Sequence, residues 1–225
     1  AAMSKHKMQN KTNDNKKAAK KVSKKTYAVI FAVLAVIAAA VLIIVFAGGR
    51  KGDKKMSEDT VRVKVEMENG GEFILSLYPE YAPQTVENFV ELVNDGFYDG
   101  VGFHRVVEGF MAQGGDPDGT GMGGSGTTIK GEFAANGFKQ NTLSHKRGVI
   151  SMARSQDYDS ASSQFFICYD DASFLDGQYA AFGEVTEGMD VVDDFLKVKR
   201  TYNSMGELAS PTEPITMKKL TVLDD

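Results

Sequence analysis

Three stretches of the chain concentrate side chains that could act on a bound molecule. Residues 103–116 read FHRVVEGFMAQGGD, residues 163–169 read SQFFICY, and residues 174–183 read FLDGQYAAFG. Together they supply one arginine, several aromatic rings, a methionine and glutamines, without an acid–base pair of the kind that bond hydrolysis uses. This set favours a site that binds apolar polypeptide. Composition leaves open the alternative that the aromatic rings and Met111 belong only to the core.

Other motifs that could carry chemistry are incomplete. The glycine-rich segment 119–126 lacks the Gly-Lys-Ser/Thr ending of a phosphate-binding loop and no helical pattern follows it. Asp116 and Asp118 begin like a calcium loop, but no glutamate stands at its twelfth position. Cys168 lies in an apolar run and is expected to be a buried, inert thiol. His104 is expected to be a core histidine that hydrogen bonds satisfy.

Composition and charge exclude several classes of protein. The 225 residues are 42% hydrophobic and 25% charged, which is ordinary for a globular protein. One cysteine excludes an internal disulfide framework, and three widely separated histidines argue against a histidine-rich metal centre. The net charge of -4 combines +8 in residues 1–25 with -12 in residues 50–225. We expect no nucleic-acid partner, because an anionic surface repels phosphate.

The first 60 residues predict a membrane anchor. Residues 1–26 form a basic tail that is expected to be disordered and cytoplasmic. Residues 27–47 are apolar and uncharged, and about 20 such residues span a bilayer core of about 30 Å. A linker at 48–60 leads to a domain at 61–225. We expect a single-pass protein of the cell membrane with an extracytoplasmic domain.

A cleavable secretory signal is the competing interpretation of the apolar run. Val45-Phe46-Ala47 offers small residues at the offsets of a cleavage site. The run is nevertheless longer than the apolar region of about 7–15 residues in most signal peptides. An uncleaved signal anchor is therefore favoured.

Apolar periodicity predicts many short strands and two helices after residue 60. Residues 61–67 alternate apolar and polar side chains, as a half-buried strand does, and a turn at 69–71 joins them to a second strand at 72–78. The pattern indicates an antiparallel barrel or sandwich with helical caps. Further strands are predicted at 148–153, 164–169 and 215–223, and helices from Pro83 to Gly96 and at 188–196.

The three stretches resemble the signature blocks of the cyclophilin-type peptidyl-prolyl cis-trans isomerases, in a bacterial-like form. The likeness covers nearly all of residues 61–225, including the leading hairpin, the helix opened by Pro83, Asn88-Phe89 and Gly96-Phe97-Tyr98. The resemblance implies a mainly β fold, a closed eight-stranded antiparallel β-barrel capped by two α-helices. One transmembrane helix would precede it here.

The resemblance also implies roles for individual residues. Arg105 matches the catalytic arginine of the family, and Gln164 is expected to support the side of the pocket that holds it. Gln113 and the backbone around Ala153 and Arg154 are expected to hold the substrate chain. The residues expected to form the proline pocket and its aromatic wall are Phe110, Met111, Phe166, Phe174, Leu175 and Tyr179.

Three positions depart from the best-known members of the family. Phe174 stands where tryptophan is frequent, Tyr179 where histidine is frequent, and Arg154 where asparagine is frequent. The first two keep an aromatic wall, and at the third the family uses mainly the backbone. The departures affect expected substrate preference more than activity, and weak cyclosporin binding is expected because phenylalanine has no N–H donor.

The implied activity is isomerisation of X–Pro bonds, which would assist the folding of extracytoplasmic proteins. Proline-containing polypeptides are the expected partners, and a monomer without metal or cofactor is the expected state. The alternative is a non-catalytic module of the same fold that tethers proline-containing partners. Loss of the arginine or of the pocket would favour that alternative, and the sequence retains both.

Overall fold

The computed structural model describes residues 60–224. The predicted tail, the membrane anchor and all but the last residue of the linker lie outside this range. Within it, none of the helices combines the length and apolar character that crossing a bilayer requires.

Eight strands form one antiparallel sheet, and two more form a separate hairpin. The strand order in the large sheet is β10-β1-β2-β7-β5-β6-β4-β3. The two α-helices are α1 (Pro83–Asn94) and α2 (Met189–Asp193). The strands are β1 (Val61–Met67), β2 (Glu72–Leu77), β3 (Gly102–Val107), β4 (Met111–Asp116), β5 (Val149–Met152), β6 (Phe165–Cys168), β7 (Ala181–Glu187), β8 (Arg200–Tyr202), β9 (Leu208–Pro211) and β10 (Met217–Val222).

The predicted leading hairpin is confirmed. Val63, Val65 and Met67 are buried on one face of β1, as the alternating pattern indicated. The turn to β2 uses Gly70 with a φ of 85°, a conformation that favours glycine. The Asn69 side-chain oxygen accepts a hydrogen bond of 3.0 Å from the backbone N–H of Gly71, which stabilises the turn.

Helix α1 begins at Pro83, as predicted, but a distant residue caps it. Val86, Phe89 and Val93 form its buried face at helical spacing. Ala82, the residue before the helix, has no polar side chain with which to cap it. The buried carboxylate of Glu132 instead accepts hydrogen bonds from the N–H groups of two first-turn residues at 3.0 and 2.8 Å, and from one threonine hydroxyl at 2.7 Å. The positive end of the helix dipole also favours a carboxylate there.

The prediction of a closed barrel is wrong, because the sheet is an open half-barrel. Its edge strands β3 and β10 do not pair along their length and meet near a single bridge between Gly102 and Thr216. Beside the bridge, a cavity of about 340 Å³ lies between β3 and the chain at 210–216, and the Phe103 N–H donates to the Ile215 carbonyl at 2.8 Å. That chain contains Pro211 and Pro214, which have no backbone N–H to donate to a ladder.

The C-terminal region differs from the sequence-based prediction in two ways. Helix α2 is shorter than the predicted 188–196, because the chain tightens into a 3₁₀ turn at Asp194–Lys197. The β8–β9 hairpin was not predicted at all. It brings the segment 203–207 back to the edge strand β3.

The large sheet separates the main core from a second apolar cluster. Side chains alternate across the strands, so that Ala112 and Ile167 enter the main core while Met111, Phe166 and Cys168 form a small cluster of their own. This second cluster provides the apolar surface on which the candidate site is built.

We expect Glu132→Ala to destabilise the fold markedly. The change leaves two backbone N–H groups and a buried hydroxyl without an acceptor, and each such loss costs about 1–3 kcal/mol. A combined loss of about 3 kcal/mol or more in the free energy of unfolding should appear in urea denaturation. Glu87→Ala, at an exposed position on α1, is the matched control and should stay within about 0.5 kcal/mol of the unmodified protein. Equal stability of the two variants would contradict the capping role.

Candidate functional site

Antiparallel pairing aligns the candidate site across four strands. Arg105 on β3 lies opposite Gln113 on β4, and Gln113 lies opposite Phe166 on β6. Phe166 in turn lies opposite Ser151 on β5. Neighbouring strands are about 4.8 Å apart, so this row of four residues is about as long as a short extended peptide.

One cavity collects most of the residues that the sequence indicated. Its volume is about 280 Å³. The residues that line it are Arg105, Phe110, Met111, Gln113, Ala153, Arg154, Phe166, Leu175 and Tyr179. Gln164 lines the adjacent cavity of about 300 Å³. Phe174 stands at the rim, 65% exposed, with its ring centroid 5.7 Å from that of Phe110.

The floor of the cavity is apolar, and other side chains pack closely against it. Met111 and Phe166 are buried, and the ring of Phe166 makes an edge contact with Tyr179 at 5.9 Å. Behind Phe166, the buried imidazole of His145 stacks on its ring with centroids 6.0 Å apart. Packing from both sides therefore fixes the orientation of the Phe166 ring.

His145 is itself held from two directions. Its Nδ1 lies 2.8 Å from an Asp176 carboxylate oxygen, and its Nε2 lies 3.0 Å from the Ser151 hydroxyl. Burial lowers the pKa of His145, and the nearby carboxylate offsets part of that effect. The imidazole is thus a neutral support for the aromatic floor at neutral pH.

Arg105 contributes a half-buried cation to the cavity. Its guanidinium carbon lies 5.8 Å from the centroid of the Phe110 ring, within the range of a cation–π contact. Its Nη1 donates to the Gln113 side-chain oxygen at 3.3 Å and approaches the Met111 sulfur at 3.6 Å. Its Nε and Nη2 donate to the two carboxylate oxygens of Glu207 at 2.7 and 2.8 Å.

Gln113 links the arginine to the next cavity. While its oxygen accepts from Arg105, its amide nitrogen donates to the Gln164 side-chain oxygen at 2.9 Å. Gln164 in turn donates to the backbone carbonyl of Gly123 at 2.8 Å. The chain of hydrogen bonds sets the direction of each amide, because one amide donates to the next.

Arg154 braces the far wall of the cavity. Its guanidinium donates to the backbone carbonyls of Gln178 and Ser155 at 2.8 Å. Its carbon also lies 4.5 Å from the Tyr179 ring centroid and 4.8 Å from that of Tyr158. The side chain thus ties two loops together.

Two residues of the signature stretches play structural roles. Cys168 is buried, and burial raises the pKa of its thiol to about 12, in agreement with an inert group. The expectation that hydrogen bonds satisfy His104 is wrong, since neither of its buried ring nitrogens has a partner among residues 60–224. Burial lowers the pKa of His104, and the ring is neutral at neutral pH. The loop at Gly121 packs near Nε2 without supplying a hydrogen-bond partner.

Sequence reasoning missed three residues that shape the cavity from outside it. Glu207, His145 and Ser151 belong to none of the three signature stretches. A usable signal existed for Glu207, because the segment Asn203–Gly206 between short β-prone runs is typical of a hairpin turn. No local pattern marks His145, whose role depends on a stacking contact between separate segments.

Sequence comparison relates this chain to a known family of proteins. The sequence model of the family described as cyclophilin type peptidyl-prolyl cis-trans isomerase/CLD matches residues 62–222. A Helicobacter pylori peptidyl-prolyl cis-trans isomerase is 50% identical over 127 residues, which are 56% of this chain and 74% of that protein. The peptidyl-prolyl cis-trans isomerase B of Bacillus subtilis is 47% identical over 124 residues, 55% of this chain and 82% of that protein.

Solved structures share the fold. A crystal structure of a cyclophilin-type isomerase from Cryptosporidium parvum superposes with a TM-score of 0.63 at 26% identity, covering 74% of this chain and 99% of that one. A second structure of that protein, obtained in the presence of the dipeptide Ala-Pro, gives a TM-score of 0.62 at 28% identity, covering 73% and 99%. The chain belongs to the family of cyclophilin-type peptidyl-prolyl cis-trans isomerases.

Proposed function

We propose that this protein catalyses cis-trans isomerisation of X–Pro bonds in polypeptides and thereby assists the folding of proteins outside the cytoplasm. The observation that carries the proposal is the half-buried guanidinium of Arg105 at the edge of a cavity of about 280 Å³ whose floor is apolar. That cavity offers apolar contacts to a proline ring and a permanent hydrogen-bond donor beside it. The Cryptosporidium parvum protein, whose structure was also determined in the presence of Ala-Pro, supports this class of ligand.

The chemistry of the bond explains why these groups are sufficient. An X–Pro amide isomerises slowly, over tens to hundreds of seconds, because resonance is lost as the peptide twists. No covalent bond forms or breaks in the reaction, so neither a nucleophile nor a general base is required. The twisted amide differs from the planar one in its nitrogen, which becomes pyramidal and gains a lone pair. A donor directed at that nitrogen stabilises the transition state more than the ground state.

Arg105 is suited to be that donor. A guanidinium keeps its protons throughout the physiological pH range. A hydrogen bond from a charged group is worth about 1.5–3 kcal/mol, which corresponds to about 10- to 150-fold in rate. The remaining acceleration is assigned to the apolar floor, where Met111 and Phe166 hold the proline ring and exclude water. The same dry surroundings favour the less dipolar, twisted amide.

The proposed location follows from the N-terminal sequence. The apolar run at 27–47 after nine lysines supports a single-pass anchor, with residues 1–26 in the cytoplasm and the isomerase domain outside. An isomerase held there would meet polypeptides as they emerge from the membrane. We propose that it acts as a monomer, without metal or cofactor.

Arg105→Ala should lower kcat/KM by at least about 10-fold, because the change removes one charged hydrogen bond to the transition state. The measurement is a protease-coupled assay with an X–Pro tetrapeptide. Thermal unfolding should change little, since the Glu207 side chain left behind is 30% exposed and water can solvate it.

Arg62→Ala is the matched control for this variant. It breaks a surface Arg–Glu pair of 2.7 Å on the opposite part of the sheet and should leave kcat/KM unchanged. Equal activity of Arg105→Ala and Arg62→Ala would refute the role of Arg105. If the unmodified protein binds the tetrapeptide without accelerating isomerisation, the chain is instead a non-catalytic binding module.

Phe174→Trp should strengthen cyclosporin binding about tenfold while kcat/KM changes little. In the family, the tryptophan at this position donates its indole N–H to the drug, and a hydrogen bond of about 0.5–1.5 kcal/mol plus the added ring area amounts to roughly a factor of ten. Phe174 is at the exposed rim, so the larger ring fits without repacking. Titration calorimetry with both proteins measures the change. Nanomolar binding by the unmodified protein would show that another contact dominates.

Protease added to intact cells or protoplasts should degrade the isomerase domain and leave the basic tail intact. This outcome follows from the orientation that the lysines impose on residues 27–47. Immunoblotting with tags at each end of the chain reads the result. A domain that resists protease until lysis would reverse the proposed orientation, and a mature N-terminus near residue 48 would replace the anchor with a cleaved signal.

A further inference from the structure

Glu207 makes a two-pronged contact with the proposed catalytic arginine. Its two carboxylate oxygens accept separate hydrogen bonds from Nε and Nη2 of Arg105, at 2.7 and 2.8 Å. The Glu207 side chain is 30% exposed and the Arg105 side chain 23% exposed, so the contact is partly shielded from water. Parallel paired hydrogen bonds of this kind fix the plane of a guanidinium as well as its position.

The hairpin that carries Glu207 is well ordered by its own hydrogen bonds. The backbone N–H of Glu207 donates to the Asn203 side-chain oxygen at 3.0 Å, while the Asn203 amide donates to the Glu207 carboxylate at 3.2 Å. At its base, Arg200 forms an ion pair of 3.5 Å with Glu108, in the turn between β3 and β4. These contacts hold in place the hairpin segment that carries the Glu207 carboxylate.

The contact decides which donors of Arg105 remain for a substrate. Nε has a single proton, and Glu207 accepts it. Nη1 lies on the cavity side, where it makes only the longer contacts with the Gln113 oxygen at 3.3 Å and the Met111 sulfur at 3.6 Å, which a substrate could replace. Without the carboxylate, the long side chain could rotate about several bonds and present any of its nitrogens.

We propose that Glu207 is a positioning residue, which holds the Arg105 guanidinium so that Nη1 is directed at the substrate amide. This proposal rests on the proposed isomerase function. It extends the working site to the β8–β9 hairpin, 102 residues along the chain from the arginine. The hydrogen bond from Arg105 lowers the pKa of Glu207, which is therefore ionised at neutral pH.

The first experiment compares Glu207→Ala and Glu207→Gln with the unmodified protein in the X–Pro tetrapeptide assay. We expect Glu207→Ala to reduce kcat about three- to tenfold with KM nearly unchanged, because the loss concerns a donor used mainly in the transition state. The kcat of Glu207→Gln should lie between those of the unmodified protein and Glu207→Ala, because its amide oxygen can accept only one of the two guanidinium bonds in the same geometry. Unchanged or increased kcat in both variants would overturn the proposal.

Two controls separate positioning from a structural role. Glu187→Ala removes the acid from another surface Arg–Glu pair and should leave kcat unchanged. In an Arg105→Ala background, Glu207→Ala should have no further effect on kcat/KM, because the group that it positions is gone. Additive losses in that double variant would show that Glu207 acts independently of Arg105 and would overturn the proposal.

A spectroscopic measurement tests the geometry without using turnover. The Arg105 Nε–H proton should give a slowly exchanging NMR signal in the unmodified protein and a fast-exchanging one in Glu207→Ala, which removes the acceptor of that proton. An equally protected signal in both would overturn the proposal. An unmodified protein that shows the protected signal but no isomerase activity would instead refute the proposed function and leave the geometric result standing.

Discussion

The whole site depends on the register of four antiparallel strands. Because Arg105, Gln113 and Phe166 are direct partners across β3, β4 and β6, the cation, the amide and the aromatic floor lie in one line. A shift of one residue in any of these strands would move its side chains to the opposite face of the sheet. The same alternation that fills the main core with Ala112 and Ile167 therefore also delivers Met111 and Phe166 to the cavity. The strand register that packs the core is therefore the same register that places the site residues.

Local patterns predicted the parts of the molecule that local chemistry determines. The leading hairpin follows from alternation and an Asn-Gly turn, and helix α1 begins at Pro83 as its fixed φ favours. The three signature stretches also supply most of the residues that the structure gathers around one cavity. Their assigned roles remain predictions, because the structure establishes their proximity and not their action on a substrate.

What escaped prediction depends on contacts between distant segments. Glu132 caps a helix from 47 residues away, and no pattern near Ala82 reveals the missing cap. Closure of the sheet was expected from the resemblance, yet two prolines before β10 leave the chain facing β3 short of donors. His104 was expected to find partners because buried polar groups usually do. The loop at Gly121 packs near its ring without supplying one.

The open edge of the sheet gives the two halves of the site different mechanical properties. Phe166 and Met111 stand on strands that pair on both sides, whereas Arg105 stands on β3, an edge strand that pairs along its length with β4 alone. Local opening of an edge breaks fewer hydrogen bonds than opening of the interior, so fluctuations concentrate there. The apolar floor of the cavity is consequently carried by interior strands, whereas Arg105 is carried by an edge strand and depends on Glu207 for its position. For the proposed isomerase, backbone fluctuation at this margin would let the donor follow a twisting peptide while the interior strands hold the ring.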